Sequence, residues 1–168
     1  MAEPGKRPKL KIPKTKTEWI ADVIGYTAYV GSIVFFIYSW GMLPDEVPAH
    51  YNAMGEVDRW GSKFELLILP IVGALVGGMC QVFERFPESH NYPERLNEEN
   101  AAAFYRNSRN MINQIKNVCF IIFAFILVES ITIAQGWGQG MGAWVLPVLV
   151  GSSLIPIVIG ALKQRKIR

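Results

Sequence analysis

The sequence predicts an all-α membrane protein with four transmembrane helices, and three features of the chain support this fold class. Of its 168 residues, 51% are hydrophobic and 18% are charged. The apolar residues gather in four segments, each close to the ~20 residues that cross a bilayer core. Lys and Arg are divided very unequally among the parts of the chain that connect these segments. The predicted spans are Ile20–Leu43, Phe64–Phe83, Ile112–Gln135 and Met141–Leu162.

Tryptophans lie at the edges of two of these segments. The first span is bracketed by Trp19 and Trp40, and the fourth carries Trp144 near one end. Such rings favour the headgroup region of a bilayer. The third span is the least regular, because Glu129 interrupts its apolar core. The alternative, a soluble protein with buried helices, would have to explain four such segments in one small chain.

The positions of the basic residues predict the topology. Fifteen of the 17 Lys and Arg residues lie in the N-terminal tail, the C-terminal tail and the middle loop between spans two and three, with Lys116 counted at the far edge of that loop. Arg59 and Lys63 are the two in the other connections. The positive-inside rule therefore predicts that both termini and the middle loop are cytoplasmic, and that the loop between helices 1 and 2 is extracytoplasmic. Anionic lipid accounts for the basic tails, so the predicted partner is the lipid bilayer and no nucleic acid.

The chain is expected to form a single membrane domain at residues 19–163. Residues 1–18 are predicted to be a mobile basic cytoplasmic tail, and residues 164–168 a second basic tail. The first apolar run is too long for a cleavable signal peptide. Cys80 and Cys119 fall inside spans, and their spacing indicates neither a disulfide scaffold nor a zinc site.

The middle loop predicts that helix 3 extends into the cytoplasm. Asn97 resembles an N-cap, and the apolar stripe after it continues into the third span without a Pro or Gly. Arg106 and Arg109 on this extension are expected to lie at the headgroups. In span two, Gly73 and Gly77 predict a close approach of helices within the chain. Prolines inside the spans are expected to kink them; these are Pro70, Pro147 and Pro156.

The stretch "HYNAMGEVDRWGSK", from His50 to Lys63, is the most polar interruption between two spans. Its "NAMG" run predicts a turn, because Asn52 can bond the backbone and Gly55 can adopt a positive φ. Asp58 and Lys63 are expected to pair, as part of a hydrogen-bonded cluster with the side chains of His50 and Asn52. Two roles stay open for these residues: structuring a compact, rigid loop, or recognising a ligand.

Enzymatic chemistry is not predicted from this loop. A single His without Cys is a weak metal signature, and no metal site or cofactor is predicted. Acid–base chemistry by His50 with Asp58 is chemically permissible, but no nucleophile motif or cofactor fingerprint accompanies it. We therefore predict no catalytic residues and a protein that is not an enzyme.

The run "LPDEVPAHYNAMGEVDRWGSK" and the apolar span after it resemble a bacterial membrane family of unknown function. The family module, at about residues 20–83, is similar to the N-terminal part of SdpI-type immunity proteins. The middle-loop run "NYPERLNEENAAAFYRNSRNMI" resembles the segment that comes after the module in some small family members. Spans three and four do not show the second motif of SdpI-type proteins. The resemblance implies a multi-pass protein of the bacterial cell membrane.

Three functions are compatible with these observations. The first is a non-enzymatic protein that senses or sequesters an extracellular peptide or toxic ligand, with immunity or signalling as its role. The second is a small membrane enzyme or metal-dependent hydrolase that uses His50 and the acids of the loop. The third is a helper subunit of a transporter, in contact with another membrane protein.

Glu129 carries a separate prediction. A charge in the hydrocarbon core costs roughly 2.5–3.5 kcal/mol on insertion scales. We therefore expect Glu129 to face the bundle interior near the base of the outer loop, close to Lys63 or His50. The alternative is a protonated carboxyl group bonded to a neighbouring backbone group.

The topology can be tested with single cysteines in a background that lacks Cys80 and Cys119. We expect a membrane-impermeant thiol reagent applied to intact cells to label Ala53→Cys, in the outer loop. Ser89→Cys, in the middle loop, should be labelled only after the membrane is opened. Labelling of Ser89→Cys in intact cells would contradict the predicted orientation.

Overall fold

The computed structural model describes residues 7–168, which form four long helices and one β-hairpin. In chain order these are helix α1 (Lys16–Ser39), strands β1 (Glu46–Tyr51) and β2 (Val57–Ser62), and helices α2 (Ile68–Arg85), α3 (Ala101–Ala134) and α4 (Val145–Lys166). Short 3-10 turns at Trp40–Met42, Lys63–Leu67 and Pro87–Ser89 join some of them. Each long helix, with its adjoining turns, is long and apolar enough to cross a membrane. The hairpin adds a small β element to the all-α class that the sequence predicts.

Helix α1 starts earlier than predicted because a capping box fixes its first turn. The Thr15 hydroxyl accepts a hydrogen bond from the Glu18 backbone N–H, and the Glu18 carboxylate accepts one from the Thr15 backbone N–H. The predicted tail at residues 1–18 therefore overlaps the start of this helix. The first six residues lie outside the described part of the chain. Residues 7–15 pack against the middle loop and α3, since Arg7 donates to the His90 carbonyl and Arg109 donates to that of Pro13.

Helix α3 is the central element, and the other three helices pack mainly against it. Its 34 residues correspond to about 51 Å, well beyond the ~30 Å of a bilayer core, so the predicted long helix is confirmed. Its cap differs from the prediction. The helix begins at Ala101 after Asn100, and Asn97 lies in the preceding turn, where its side-chain oxygen accepts from the Asn100 backbone N–H.

The two ends of the bundle have different cores. At the hairpin end, Val47 of β1 is fully buried and packs with apolar side chains of α1 and α3, including Phe36, Leu127 and Ile131. At the opposite end, which we call the terminal end because Ile12 and Ile167 pack there, Phe104 belongs to a second buried cluster on α3. Helix α4 is the most peripheral: it has two buried residues, and the rest of its surface is largely apolar and exposed, as expected of a face against lipid.

Two of the three prolines in the spans lie where they break no helix hydrogen bond. Pro70 and Pro147 each occupy the third position of their helices, where a missing N–H costs no intrahelical hydrogen bond. Pro156 lies inside α4, where a proline removes a helix hydrogen bond, as predicted.

Glycines let α2 lie close to its neighbours, as the small-residue spacing predicts. A Cβ added at Gly73 would lie 2.6 Å from the Tyr29 ring of α1, and one added at Gly77 would overlap the Phe120 ring of α3. The Phe120 ring is stacked on Tyr29 with a centroid distance of 4.6 Å, so it cannot move aside freely. Both glycines therefore serve packing within the chain.

This packing gives a prediction with a neighbouring control. Gly77→Ala should destabilise the bundle by about 1–3 kcal/mol, because the new methyl group overlaps a held aromatic ring. Gly78→Ala, where a Cβ would meet nothing within 4 Å, should leave stability unchanged or slightly raised. Thermal unfolding of the purified protein in detergent measures both. Equal melting temperatures for the two variants would contradict the assigned contact.

Candidate functional site

The sequence-predicted site residues lie on the β-hairpin and its flanks. The strands are antiparallel, with Glu46 opposite Ser62 and Tyr51 opposite Val57. The turn forms as its residues predict: the Asn52 side-chain oxygen accepts from the backbone N–H groups of Met54 and Glu56, and Gly55 has a φ of 73°. Local interactions thus define the hairpin, and the predicted compact loop is confirmed.

The predicted single cluster of side chains is wrong, because they form three separate pairs. His50 Nδ1 lies 2.6 Å from Asp58 Oδ1 across the strands. Asn52 donates to the Glu56 carboxylate at 2.9 Å. Lys63 pairs with Asp45 at 3.4 Å, so the expected pair of Asp58 with Lys63 does not form. The strand register brings His50 to Asp58, whereas the other two pairs join residues that flank the strands.

One side of the hairpin is docked on the bundle. Tyr51 Oη shares a hydrogen bond with Ser130 Oγ of α3 at 2.8 Å, and burial raises the pKa of the Tyr51 phenol above its ordinary value. The Met141 backbone N–H donates to the Gly55 carbonyl at 2.9 Å. A Cβ at Gly55 would lie 2.5 Å from the Gly142 carbonyl oxygen, so glycine is required there by space as well as by φ.

Strand β2 is exposed on both of its faces. Asp58, Arg59 and Trp60 follow one another in the chain, and all three side chains are exposed. Arg59 donates to the Glu65 carboxylate at 2.9 Å and to the Ala49 carbonyl at 3.2 Å. Within residues 7–168, β1 is the only strand beside β2, so its other edge carries no strand partner. The hairpin therefore presents charge, an aromatic ring and backbone hydrogen-bonding groups.

Glu129 lies near the hairpin but not with the partners that were expected. It is half-buried, and the next residue, Ser130, bonds Tyr51 of β1, which places Glu129 near the hairpin. Its expected partners are engaged elsewhere, His50 with Asp58 and Lys63 with Asp45. The predicted position near the loop is confirmed, and the predicted pairing is wrong.

A second polar site lies at the terminal end of the bundle, and sequence reasoning did not find it. Lys116 of α3 is completely buried, 2.7 Å from a Glu84 oxygen of α2 and 3.0 Å from an Asp22 oxygen of α1. Lys14 pairs with Asp22 at 2.5 Å from the more exposed side. The amides of α3 also take part, since Asn113 and Asn117 donate to Asp22 at 2.8 and 2.9 Å. We call these residues the charge network; they are Lys14, Asp22, Glu84, Asn113, Lys116 and Asn117.

A neighbouring ion pair joins the N-terminal segment to α3. The guanidinium group of Arg109 donates two hydrogen bonds to the Glu18 carboxylate, at 2.9 and 3.0 Å, and others to the carbonyls of Ile12 and Pro13. Arg109 is 6% exposed and Glu18 is fully buried. The prediction that Arg109 anchors at the headgroups is therefore wrong, whereas Arg106 is exposed as expected. This pair is bidentate, the strongest geometry between these groups.

Sequence reasoning missed the charge network because its carboxylates lie near the ends of α1 and α2, whereas Lys116 lies in the middle of the long helix α3. Glu84 precedes the last residue of α2, and Asp22 is in the second turn of α1. Lys116 was assigned to the edge of the middle loop. The available signal was that Asp22 and Lys116 are ionisable residues next to long apolar runs, a placement that requires a partner inside a membrane protein.

The hairpin segment matches a known family model. Residues 28–74 match the model of a domain of unknown function, DUF1648. The predicted resemblance to a family of unknown function is thus confirmed for this segment. No solved structure gives a significant match. Within residues 7–168, no three His, Cys, Asp or Glu side chains lie close enough together to hold a metal ion.

An uncharacterised protein of the archaeon Archaeoglobus fulgidus is 38% identical over 73 residues, which are 42% of this chain. They are 38% of that protein, so the match spans well under half of its length. The DUF1648 segment contains the whole hairpin and Gly73. It does not contain Asp22, Glu84 or Lys116, so the charge network is built from residues outside it.

The charge network predicts a large stability effect of a single substitution. Lys116→Met removes the buried cation and leaves Asp22 and Glu84 facing each other, with only the partly exposed Lys14 between them. Breaking one side of a buried ion pair costs about 3–5 kcal/mol, so we expect a strong drop in the thermal unfolding temperature in detergent.

The same change at Lys163, in the exposed last turn of α4, is the matched control and should have little effect. Adding Glu84→Gln to Lys116→Met should recover part of the loss, because one uncompensated charge is removed. Wild-type stability of Lys116→Met would show that the network does not hold the helices together.

Proposed function

We propose that this protein is a non-enzymatic multi-pass membrane protein whose hairpin binds an extracellular peptide or toxic ligand. In this proposal both termini are cytoplasmic and the hairpin is outside, as the distribution of Lys and Arg favours. The role is immunity-like, in line with the resemblance of the module to SdpI-type proteins. The observation that carries the proposal is the division of the hairpin into one docked side and one exposed strand.

The docked side gives the hairpin a fixed shape before any ligand arrives. Val47 is buried in the core, the Tyr51 phenol bonds Ser130, and the turn is tied to Met141. A recognition surface that is already ordered loses less conformational entropy when it binds. A hairpin that is held in one shape is better suited to binding a ligand than to serving as a flexible connection between two helices.

The exposed strand offers chemistry that suits a peptide. An extended peptide can add to a free strand edge through main-chain hydrogen bonds, and its side chains can then meet the exposed groups beside that edge. Trp60 supplies a large apolar surface, and its side chain is 49% exposed. His50 and Asp58 supply polar contacts, and both side chains are accessible at 64% and 42% exposure.

A second candidate function rests on the His50–Asp58 contact. At 2.6 Å, the carboxylate could orient the imidazole as it does when His acts as a general base. In a membrane hydrolase built this way, Asp58→Asn would abolish turnover and leave ligand affinity largely intact. In the binding proposal, the same change weakens the ligand response directly and no product forms.

The binding proposal is tested by separating exposed residues from docking residues. Trp60→Ala and Asp58→Ala should leave membrane accumulation and thermal stability near wild type, because both side chains are exposed. They should reduce the survival of expressing cells that are challenged with the peptide fraction secreted by cultures of the source organism and its relatives.

Tyr51→Phe is the contrasting variant. It removes the bond to Ser130, so it should lower stability by about 1 kcal/mol. Protection should fall only as far as the amount of folded protein falls. If the Trp60 and Asp58 variants protect cells as well as the wild type does, the exposed strand is not the recognition surface.

A further inference from the structure

A cavity of about 790 Å³ lies beside the C-terminal end of α2, between that helix and the N-terminal segment. This volume falls within the ~300–1,000 Å³ range typical of small-molecule sites. Its wall is apolar in part, through Leu10, Val82 and Phe86, and charged in part, through Lys11, Lys14, Glu84, Arg85 and Arg109. The site lies at the terminal end, away from the hairpin.

The charged groups of this cavity leave a surplus of positive charge. Lys14 is paired with Asp22 and Glu84, and Arg109 is paired with Glu18. Lys116 supplies the remaining cation that balances the buried carboxylates. Within residues 7–168, Lys11 and Arg85 make no ion pair, and both side chains are exposed at the cavity. The complementary ligand is therefore an anion.

The height of the cavity favours a lipid over a soluble anion. Helix α2 has 18 residues, or about 27 Å, which is close to the ~30 Å thickness of a bilayer core. Arg85, its last residue, is then expected at the depth of the phosphate groups. Gly78, about two helical turns nearer the bilayer centre than Arg85, also lines the cavity, and a Cβ there would meet nothing within 4 Å. Because Gly78 and Val82 are four residues apart on one face of α2, this open space continues the site towards the apolar interior of the bilayer.

We propose that this cavity binds one anionic phospholipid, with its phosphate held by Lys11 and Arg85 and an acyl chain along Gly78 and Val82. Basic residues close to a membrane surface gain about 1 kcal/mol each from anionic lipid. That gain applies to any exposed cation near the bilayer. The specific part of the proposal is the joint contribution of two cations and an apolar groove in one place.

The test is native mass spectrometry of the full-length protein released from membranes that contain phosphatidylglycerol and phosphatidylcholine. We expect the wild type to retain one phosphatidylglycerol in preference to phosphatidylcholine. Lys11→Gln with Arg85→Gln should weaken this retention about 25-fold, or roughly fivefold for each residue. Lys163→Gln with Arg165→Gln removes the same charge from the exposed last turn of α4 and should weaken it much less.

A second variant tests the groove with all charges intact. Gly78→Leu should fill the space for the acyl chain and reduce retained phosphatidylglycerol, whereas Gly151→Leu, at another open helix surface, should not. Because both glycine variants keep every charge, they test whether the cavity holds the lipid even if the double charge variant does not fold. Inorganic phosphate and glycerol phosphate, added at millimolar concentration, should not displace the lipid.

Three results would overturn the proposal. Equal losses for the two double charge variants would mean that only general surface charge attracts the lipid. Unchanged retention in Gly78→Leu would remove the acyl-chain groove. Displacement by inorganic phosphate would assign the site to a free anion and not to a lipid.

Discussion

The buried contact of Lys116 with Asp22 and Glu84 is the interaction on which the packing of the bundle depends. Each of the three helices α1, α2 and α3 contributes one charged group to it, and Lys116 has no exposed surface. An isolated charge at such a place costs several kcal/mol, so every partner must be present for the arrangement to be stable. Because the three groups lie on different helices, only one relative placement of those helices satisfies them all.

This constraint explains several features around it. The close approach of α2 to its neighbours at Gly73 and Gly77 brings Glu84 within reach of Lys116, since both glycines and Glu84 lie on the same helix. The capping box at Thr15 fixes where α1 begins and thereby positions Glu18 for Arg109. Helix α4 contributes nothing to the charge network, which agrees with its peripheral position. Apolar side chains make the contacts between the helices, and the ion pairs determine how the helices are aligned along one another.

The parts of the structure that depend on local rules could be predicted from sequence. Hydropathy was sufficient for the four spans, and Asn52 with Gly55 was sufficient for the turn, because each of these signals lies within a few neighbouring residues. The start of α3 was harder to predict, because Asn97 and Asn100 are both suitable N-cap residues. The sequence pattern favoured Asn97, whereas the helix begins directly after Asn100. Partner choice could not be predicted. Asp58 can reach either His50 or Lys63 along the chain, and only the strand register decides for His50. In the same way, Glu84 and Lys116 look like two unrelated residues at the edges of a loop until the helices are packed.

In the proposed function the hairpin either senses a ligand or sequesters it, and the ion pairs of the bundle bear on that choice. The hairpin is attached to α3 at Ser130, and the charge network is attached to α3 at Lys116, 14 residues or about 21 Å away on one continuous helix. A signal from the hairpin to the terminal end would have to move α3 relative to α1 and α2. Such a movement would break ion pairs that each cost about 3–5 kcal/mol to disrupt, and a ligand can shift the equilibrium only by its difference in affinity for the two states. Ligand capture on the exposed strand needs no such movement, so within the proposed function we favour sequestration at the hairpin over a conformational signal through the bundle.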